Sequence, residues 1–152
     1  MPRTKAKTAA PPASARKRYV LNDQVGFLLR VAMQRHTTIF TARMIEELTQ
    51  TQFAALAKLL EAGPCSQNHL GRLIYLDAAT IKGVVDRLRA RGLVATASDI
   101  KDRRRRAVTL TPAGRRVTEA AIAVAAQITA LTLAPLSPQE QRTVTRLLKK
   151  LG

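Results

Sequence analysis

The residues from Ser66 to Thr111, SQNHLGRLIYLDAATIKGVVDRLRARGLVATASDIKDRRRRAVTLT, leave the chain few choices of fold. Ser66 can cap a short helix in which Leu70, Leu73 and Ile74 point inward. Tyr75-Leu76-Asp77 is a turn, and Asp77 can cap a second helix running from about Ala78 to Arg91. Along it Ile81, Val84, Val85 and Leu88 recur at i, i+3, i+4 and i+7, one apolar stripe. Ala78, Thr80, Lys82, Arg87 and Arg89 lie off that stripe, and Gly92 stands where a glycine closes a helix. Two β-prone runs follow, Leu93-Val94-Ala95-Thr96 and Ala107-Val108-Thr109-Leu110. The loop between them, SDIKDRRRR, carries Lys101, Arg103, Arg104, Arg105 and Arg106 against Asp99 and Asp102. The expected unit is two helices, a tight turn between them, and a two-stranded hairpin with a cationic tip.

That unit constrains function as well. A helix that buries one side and offers small, polar and basic groups on the other fits the DNA major groove, where base edges are read. A hairpin tipped with arginines is a wing that reaches backbone phosphates or a narrow minor groove. By itself, a basic run is equally well a solvated surface loop; its place directly after a helix-turn-helix pattern favours DNA contact.

Composition points the same way. The chain has 152 residues, one domain's worth, and its 46% hydrophobic content supports a packed core. With 26 basic and 10 acidic residues the net charge is +16, which calls for a polyanionic partner, nucleic acid before anionic membrane. No apolar run approaches the ~18 residues of a spanning helix. The basic N-terminus lacks the apolar segment of a secretory signal, so a cytoplasmic location with no membrane partner is expected. One cysteine and two histidines make neither a disulfide framework nor a cysteine-rich zinc site. There is no metal-ligand cluster, glycine-rich phosphate loop or nucleophile motif, so neither an enzyme nor a cofactor is expected.

The flanks are helical. Residues 1–18, rich in Ala, Pro, Lys and Arg, read as a disordered basic tail, either a solubilising segment or an arm for phosphates. Asn22 or Asp23 can cap a long helix to about Met44 with Val25, Leu28, Leu29, Ala32, His36, Ile39 and Phe40 on its apolar face. His36 on such a stripe is more often a satisfied core residue than a ligand contact. Thr49-Gln50-Thr51-Gln52 is a capping box opening a helix with Phe53, Leu56, Leu59 and Leu60 inward, ended by Gly63-Pro64. Cys65 follows in a loop; a redox role for it would require a disulfide between two chains. Thr111-Pro112 starts another helix, whose Val117, Ala121, Val124, Ile128 and Leu131 repeat at 4-3-4-3 spacing, a seam for helix-on-helix packing. So placed after the wing, it has little of its own domain left to pack on. Pro135 breaks it, and Ser137-Pro138-Gln139-Glu140 caps a last helix with Val144, Leu147, Leu148 and Leu151 inward. The first helix and the last two flank the centre like a dimerisation platform. A dimer would present two reading helices about one DNA turn apart, hence a pseudo-palindromic operator.

With these residues in view, the chain from about Asn22 to Leu151 resembles the MarR family of winged helix-turn-helix regulators. The most specific match is Asp99-Ile100-Lys101-Asp102-Arg103-Arg104 followed by Leu110-Thr111-Pro112-Ala113-Gly114. The family pattern is an Asp-x-Arg-Asp-x-Arg wing leading into Leu-Thr-x-x-Gly, and Lys101 replaces an arginine while keeping the cation. Leu88-Arg89-Ala90-Arg91-Gly92-Leu93-Val94 matches the link from reading helix to wing. The resemblance implies a homodimer built from both terminal regions, usually a repressor, often released from DNA by a small aromatic carboxylate or phenol. By position it makes Asp102 the residue that orients an arginine and Arg104 the one that enters the minor groove. It places Ala78, Ala79, Thr80, Lys82 and Arg87 on the reading helix.

The expected fold is mainly α with a small β-hairpin wing, a winged helix-turn-helix ordered as four helices, two strands and two helices. Its regions are a tail at 1–18, an N-terminal dimerisation helix at 19–48, the DNA-binding region at 49–111 and C-terminal dimerisation helices at 112–152. The expected function is a sequence-specific DNA-binding regulator, a repressor that responds to a small aromatic ligand. Candidate DNA contacts are Ala78, Ala79, Thr80, Lys82, Arg87, Lys101, Asp102, Arg103, Arg104, Arg105 and Arg106. For the ligand, Arg35, His36 and Arg43 would counter a carboxylate, Phe40 and Phe53 would be apolar walls, and His69 is a further candidate. The rival is a non-specific architectural DNA-binding protein, which would bind all sequences alike with a steep salt dependence.

Overall fold

The chain alternates caps and apolar stripes in the order the sequence sets out. The computed structural model describes residues 18–98, 101–104 and 106–152. The tail at 1–17 and the expected contact by Arg105 lie outside the described residues. The helices are α1 (Val25–Arg43), α2 (Gln50–Ala62), α3 (Gln67–Leu73), α4 (Ala78–Ala90), α5 (Pro112–Leu133) and α6 (Pro138–Leu148). Strands β1 (Val94–Ser98) and β2 (Arg106–Leu110) lie between α4 and α5 and pair antiparallel, Val94 opposite Leu110 and Ser98 opposite Arg106. Contacts divide the chain into two units, residues 1–33 and 34–152.

In the first unit, Asn22 and Asp23 do not cap α1. They sit in a 3-10 turn, Leu21–Asp23, closed by the Asp23 N–H to Val20 O at 3.1 Å and the Gln24 N–H to Leu21 O at 3.0 Å. Gln24 is extended, so the helix begins only at Val25. The Arg30 guanidinium lies 5.2 Å from the centre of the Phe27 ring. Val25, Leu28 and Leu29, expected on an inner face, are exposed.

In the second unit the apolar stripes meet in one core: Leu56 and Leu59 of α2, Leu70 of α3, Ile81, Val84, Val85 and Leu88 of α4, Val94 and Val108 of the hairpin, and Ala121 of α5. Both expected capping boxes form, Thr49 with Gln52 and Ser137 with Glu140. The chain closes α4 with a Schellman motif. Gly92, at φ 71, donates to Arg89 O at 2.9 Å, and Leu93 donates to Leu88 O at 3.0 Å. Leu93 is therefore spent on the cap, which is why β1 begins at Val94 rather than Leu93.

Three expectations need correction. α5 does find its own domain to pack on: it lies against α2, with Thr118 and Ala121 fully buried. Small residues at its N-terminal half permit that approach. The same helix is long and apolar enough, by length and composition alone, to cross a membrane. The sequence reading counted uninterrupted apolar residues, whereas scattered Thr and Gln leave the average high. Lastly, Leu147, Leu148 and Leu151 do not point inward within one chain; they are exposed, and α6 contributes no buried residue.

Candidate nucleic-acid interface and effector cavities

Asp77 fixes where α4 begins. Its Oδ1 accepts the Thr80 N–H and its Oδ2 the Thr80 hydroxyl, both at 2.8 Å. These hydrogen bonds hold the Asp77 carboxyl below the usual carboxylate range. From that start Ile81, Val84, Val85 and Leu88 are all at most 1% exposed, while Ala78, Ala79, Thr80, Lys82 and Arg87 face outward. At about 3.6 residues per turn, the line opposite the core runs through Ala79, Gly83, Asp86 and Ala90, with Lys82 and Arg87 on its flanks.

Asp86 on that line was missed by the sequence reading, although its i,i+4 spacing from Lys82 is a helix-pair signal. Lys82 Nζ meets Asp86 Oδ2 at 2.6 Å, and the Arg89 guanidinium pairs with Asp86 Oδ1. Arg89 also donates to Thr96 Oγ1 of β1 at 3.2 Å, tying α4 to the hairpin. The Lys82 hydrogen bond is the main reason the Asp86 carboxyl lies below its ordinary range. Among the described wing residues, Lys101, Asp102, Arg103, Arg104 and Arg106 are exposed. Asp102 Oδ1 accepts the Arg104 backbone N–H at 2.9 Å, which fixes the local turn.

The root of the wing is locked to the end of α4. Thr111 donates its hydroxyl to Gly92 O at 2.6 Å and its N–H to Leu93 O at 3.1 Å, and its oxygen accepts the Gly114 N–H at 2.9 Å. Gly114 is required by space: a Cβ there would run into the Leu93 carbonyl. Cys65 pairs its backbone with Val108 beside this root, and burial raises its thiol pKa. A thiol kept protonated is a poor redox sensor.

The expected effector residues divide. His36, Phe40 and Phe53 form a chain of rings, with centroids 6.1 Å and 6.2 Å apart. Arg35 donates to Leu131 O at 3.0 Å and Thr132 O at 3.4 Å, a cation at the C-terminal end of α5, and His36 Nδ1 lies 3.0 Å from Thr132 Oγ1. Arg43 is exposed in the last turn of α1. His69 is exposed on α3, its Nδ1 3.4 Å from Arg72.

Two cavities flank the ring chain. One, of about 650 Å³, has Phe40, Met44 and Leu48 as apolar wall, with Thr37, Thr41, Glu47 and the first turn of α2 as polar rim. The other, of about 440 Å³, takes in His36, Thr132, Val144, Leu148 and Lys149. Beside the first, Glu46 and Glu47 both hold positive φ, 56° and 50°, a costly conformation for residues with a Cβ. Arg91, at the end of α4, donates to Glu46 O at 2.6 Å and so ties that loop to α4. Among the described residues no three His, Cys, Asp or Glu side chains cluster to hold a metal.

Comparison with known proteins places this arrangement. The family model described as MarR family matches residues 46–105. The HTH-type transcriptional repressor NicR of Pseudomonas putida is 42% identical over 134 residues, 88% of this chain and 85% of that protein. The crystal structure of a "probable transcriptional regulator" from Pseudomonas aeruginosa has TM-score 0.84 at 53% identity, covering 88% of this chain and 100% of that one. Bordetella bronchiseptica BpsR, whose DNA binding is regulated by 6-hydroxynicotinic acid, has TM-score 0.82 at 42% identity, covering 88% of this chain and 96% of that one. The six α-helices and two-stranded wing of the described residues, the locked wing root and these likenesses lead to one conclusion: the chain belongs to the MarR family of winged helix-turn-helix transcriptional regulators.

Proposed function

We propose that this protein is a repressor that binds a pseudo-palindromic operator as a homodimer and leaves it when a small hydroxylated aromatic acid binds. The observation that carries the DNA part is α4 itself. It buries Ile81, Val84, Val85 and Leu88, exposes Ala79 and Ala90 with half-buried Gly83 between them, and is followed directly by a wing with Arg103, Arg104 and Arg106 exposed. Small outward residues let the helix backbone approach base edges, and the flanking Lys82 and Arg87 supply cations for bases or phosphates. Lys101, Arg103, Arg104 and Arg106 serve the adjoining phosphates and minor groove. That NicR is a repressor supports repression rather than activation.

The effector part rests on the larger cavity and on BpsR. Phe40, Met44 and Leu48 suit an aromatic ring. The hydroxyls of Thr37 and Thr41 suit a phenol, and the N-terminus of the 13-residue α2 favours a carboxylate. The loop at Glu46 and Glu47 forms the route to DNA, because Arg91 joins it to α4. A ligand acts only if it binds the DNA-incompetent arrangement better; full release needs a ratio of about 10⁴.

The test is binding of the protein to DNA from upstream of its own gene. Arg104→Ala is expected to leave the protein folded and to cost about 1–3 kcal/mol of operator affinity, the range of one good contact. Phe40→Ala is expected to abolish the response to 6-hydroxynicotinic acid while sparing DNA binding. Unchanged affinity in the first variant at fixed salt would remove the wing from the interface. An unchanged response in the second would move the effector out of this cavity.

A further inference from the structure

The outward line of α4 carries one acid, in the middle of a face expected to meet a polyanion. Asp86 lies on that line between Gly83 and Ala90, half-exposed, with the Lys82 and Arg89 side chains folded onto its carboxylate and the Arg87 guanidinium over Gly83. It pairs with Lys82 at 2.6 Å and with Arg89, and Arg89 is held a second time by Thr96 of β1. We propose that Asp86 is a specificity-determining residue, holding Lys82 and Arg89 in ion pairs so that neither cation is free for the phosphates of non-cognate DNA. This rests on the reading of α4 as the DNA-reading helix.

The need for such a residue follows from the charge. A chain at +16 attracts any duplex, because every cation that neutralises a phosphate releases condensed counterions whatever the sequence. Discrimination is a difference between two affinities, and it rises as much by weakening the wrong complex as by strengthening the right one. A cation already paired with a carboxylate brings less net charge to a phosphate, and the carboxylate itself repels it. An operator offers base-edge partners that repay opening the pairs, while random sequence offers only phosphate. Lys82, 67% exposed, and Arg89, 50% exposed, are held loosely enough to be released in this way. The Lys82 hydrogen bond, with the charges of Lys82 and Arg89, holds the Asp86 carboxyl below its ordinary range.

The experiment measures binding of the full chain to a random-sequence duplex over a range of salt concentrations. Variants Asp86→Asn and Asp86→Ala remove the charge, and Asp86→Glu restores it. Asn and Ala variants are expected to bind random DNA roughly threefold to tenfold more tightly. The slope of log K against log salt should steepen by about 0.9 for each cation set free, and the Glu variant should return to the wild-type slope. In the Lys82→Met background the part of the gain owed to Lys82 should vanish. Folded Asn or Ala variants with wild-type affinity and slope, or with weaker binding, would overturn the proposal and leave the DNA reading intact. A wild-type chain that binds no duplex in a salt-dependent way would overturn both.

Discussion

Gly114 shows how far a single position can be decided by its neighbours. Its N–H is held by Thr111 Oγ1 at 2.9 Å, its carbonyl accepts the Thr118 hydroxyl at 2.7 Å, and the Leu93 carbonyl fills the space where a side chain would begin. Gly114→Ala should therefore destabilise the protein by about 3 kcal/mol, the upper range for overpacking, as read by chemical unfolding. Gly83→Ala meets only the tip of Arg87 and should stabilise by up to about 1 kcal/mol in the same measurement. Asp77 makes a pH-dependent contribution. Its folded pKa is lowered by the Thr80 hydrogen bonds, so its stabilisation is complete above the unfolded value, near 3.8, and fades as pH falls through the lower folded value. Asp77→Ala should melt below the wild type at neutral pH, and the gap should close as the pH drops below about 3.8; a gap independent of pH would assign the cap to something other than the carboxylate.

Among the elements, those whose ends are set locally were readable from sequence. Thr49, Ser66, Asp77, Thr111 and Ser137 each accept a backbone N–H three residues on, a signal contained in four letters. The stripe of α4 and the glycine that closes it were readable for the same reason. What sequence did not show is set by distant partners. Nothing near Glu46 and Glu47 announces two successive positive φ values, and Arg91, which bonds to Glu46, is 45 residues away. Arg35 and His36 read as counter-charges for a ligand, yet both bond to the last turn of α5, across more than 90 residues. The Cys65 loop reads as plain from sequence, but pairing with Val108 makes it part of the wing root. If Arg91 carries the effector signal into α4, Arg91→Ala should retain operator binding and ligand binding but lose most of the coupling between them, measured as the ligand-induced change in operator Kd. Retained coupling would mean that the signal travels elsewhere.

At the scale of the whole molecule, apolar surface is left uncovered in both units. Tyr19, Leu21, Val25, Leu28 and Leu29 are exposed in one, and Leu147, Leu148 and Leu151 in the other. Their periodicity was legible; their destination was not, because a stripe looks the same whether it faces the chain's own core or a second copy. Exposed apolar area of this kind favours association, and a dimer would use both ends of the chain. The double variant Leu148→Glu, Leu151→Glu should shift the protein to monomer in sedimentation and weaken operator binding more than random-DNA binding. A dimer unaffected by these changes would move the interface away from α6.

Ligand-controlled, sequence-specific DNA binding is read most directly from the ratio of Kd values for random DNA and for DNA upstream of the protein's own gene, at about 0.15 M salt, with and without 6-hydroxynicotinic acid. A ratio of at least about 10³ without the acid, falling toward unity with it, is the predicted result. Equal affinity for both DNAs, unchanged by the acid, would contradict it.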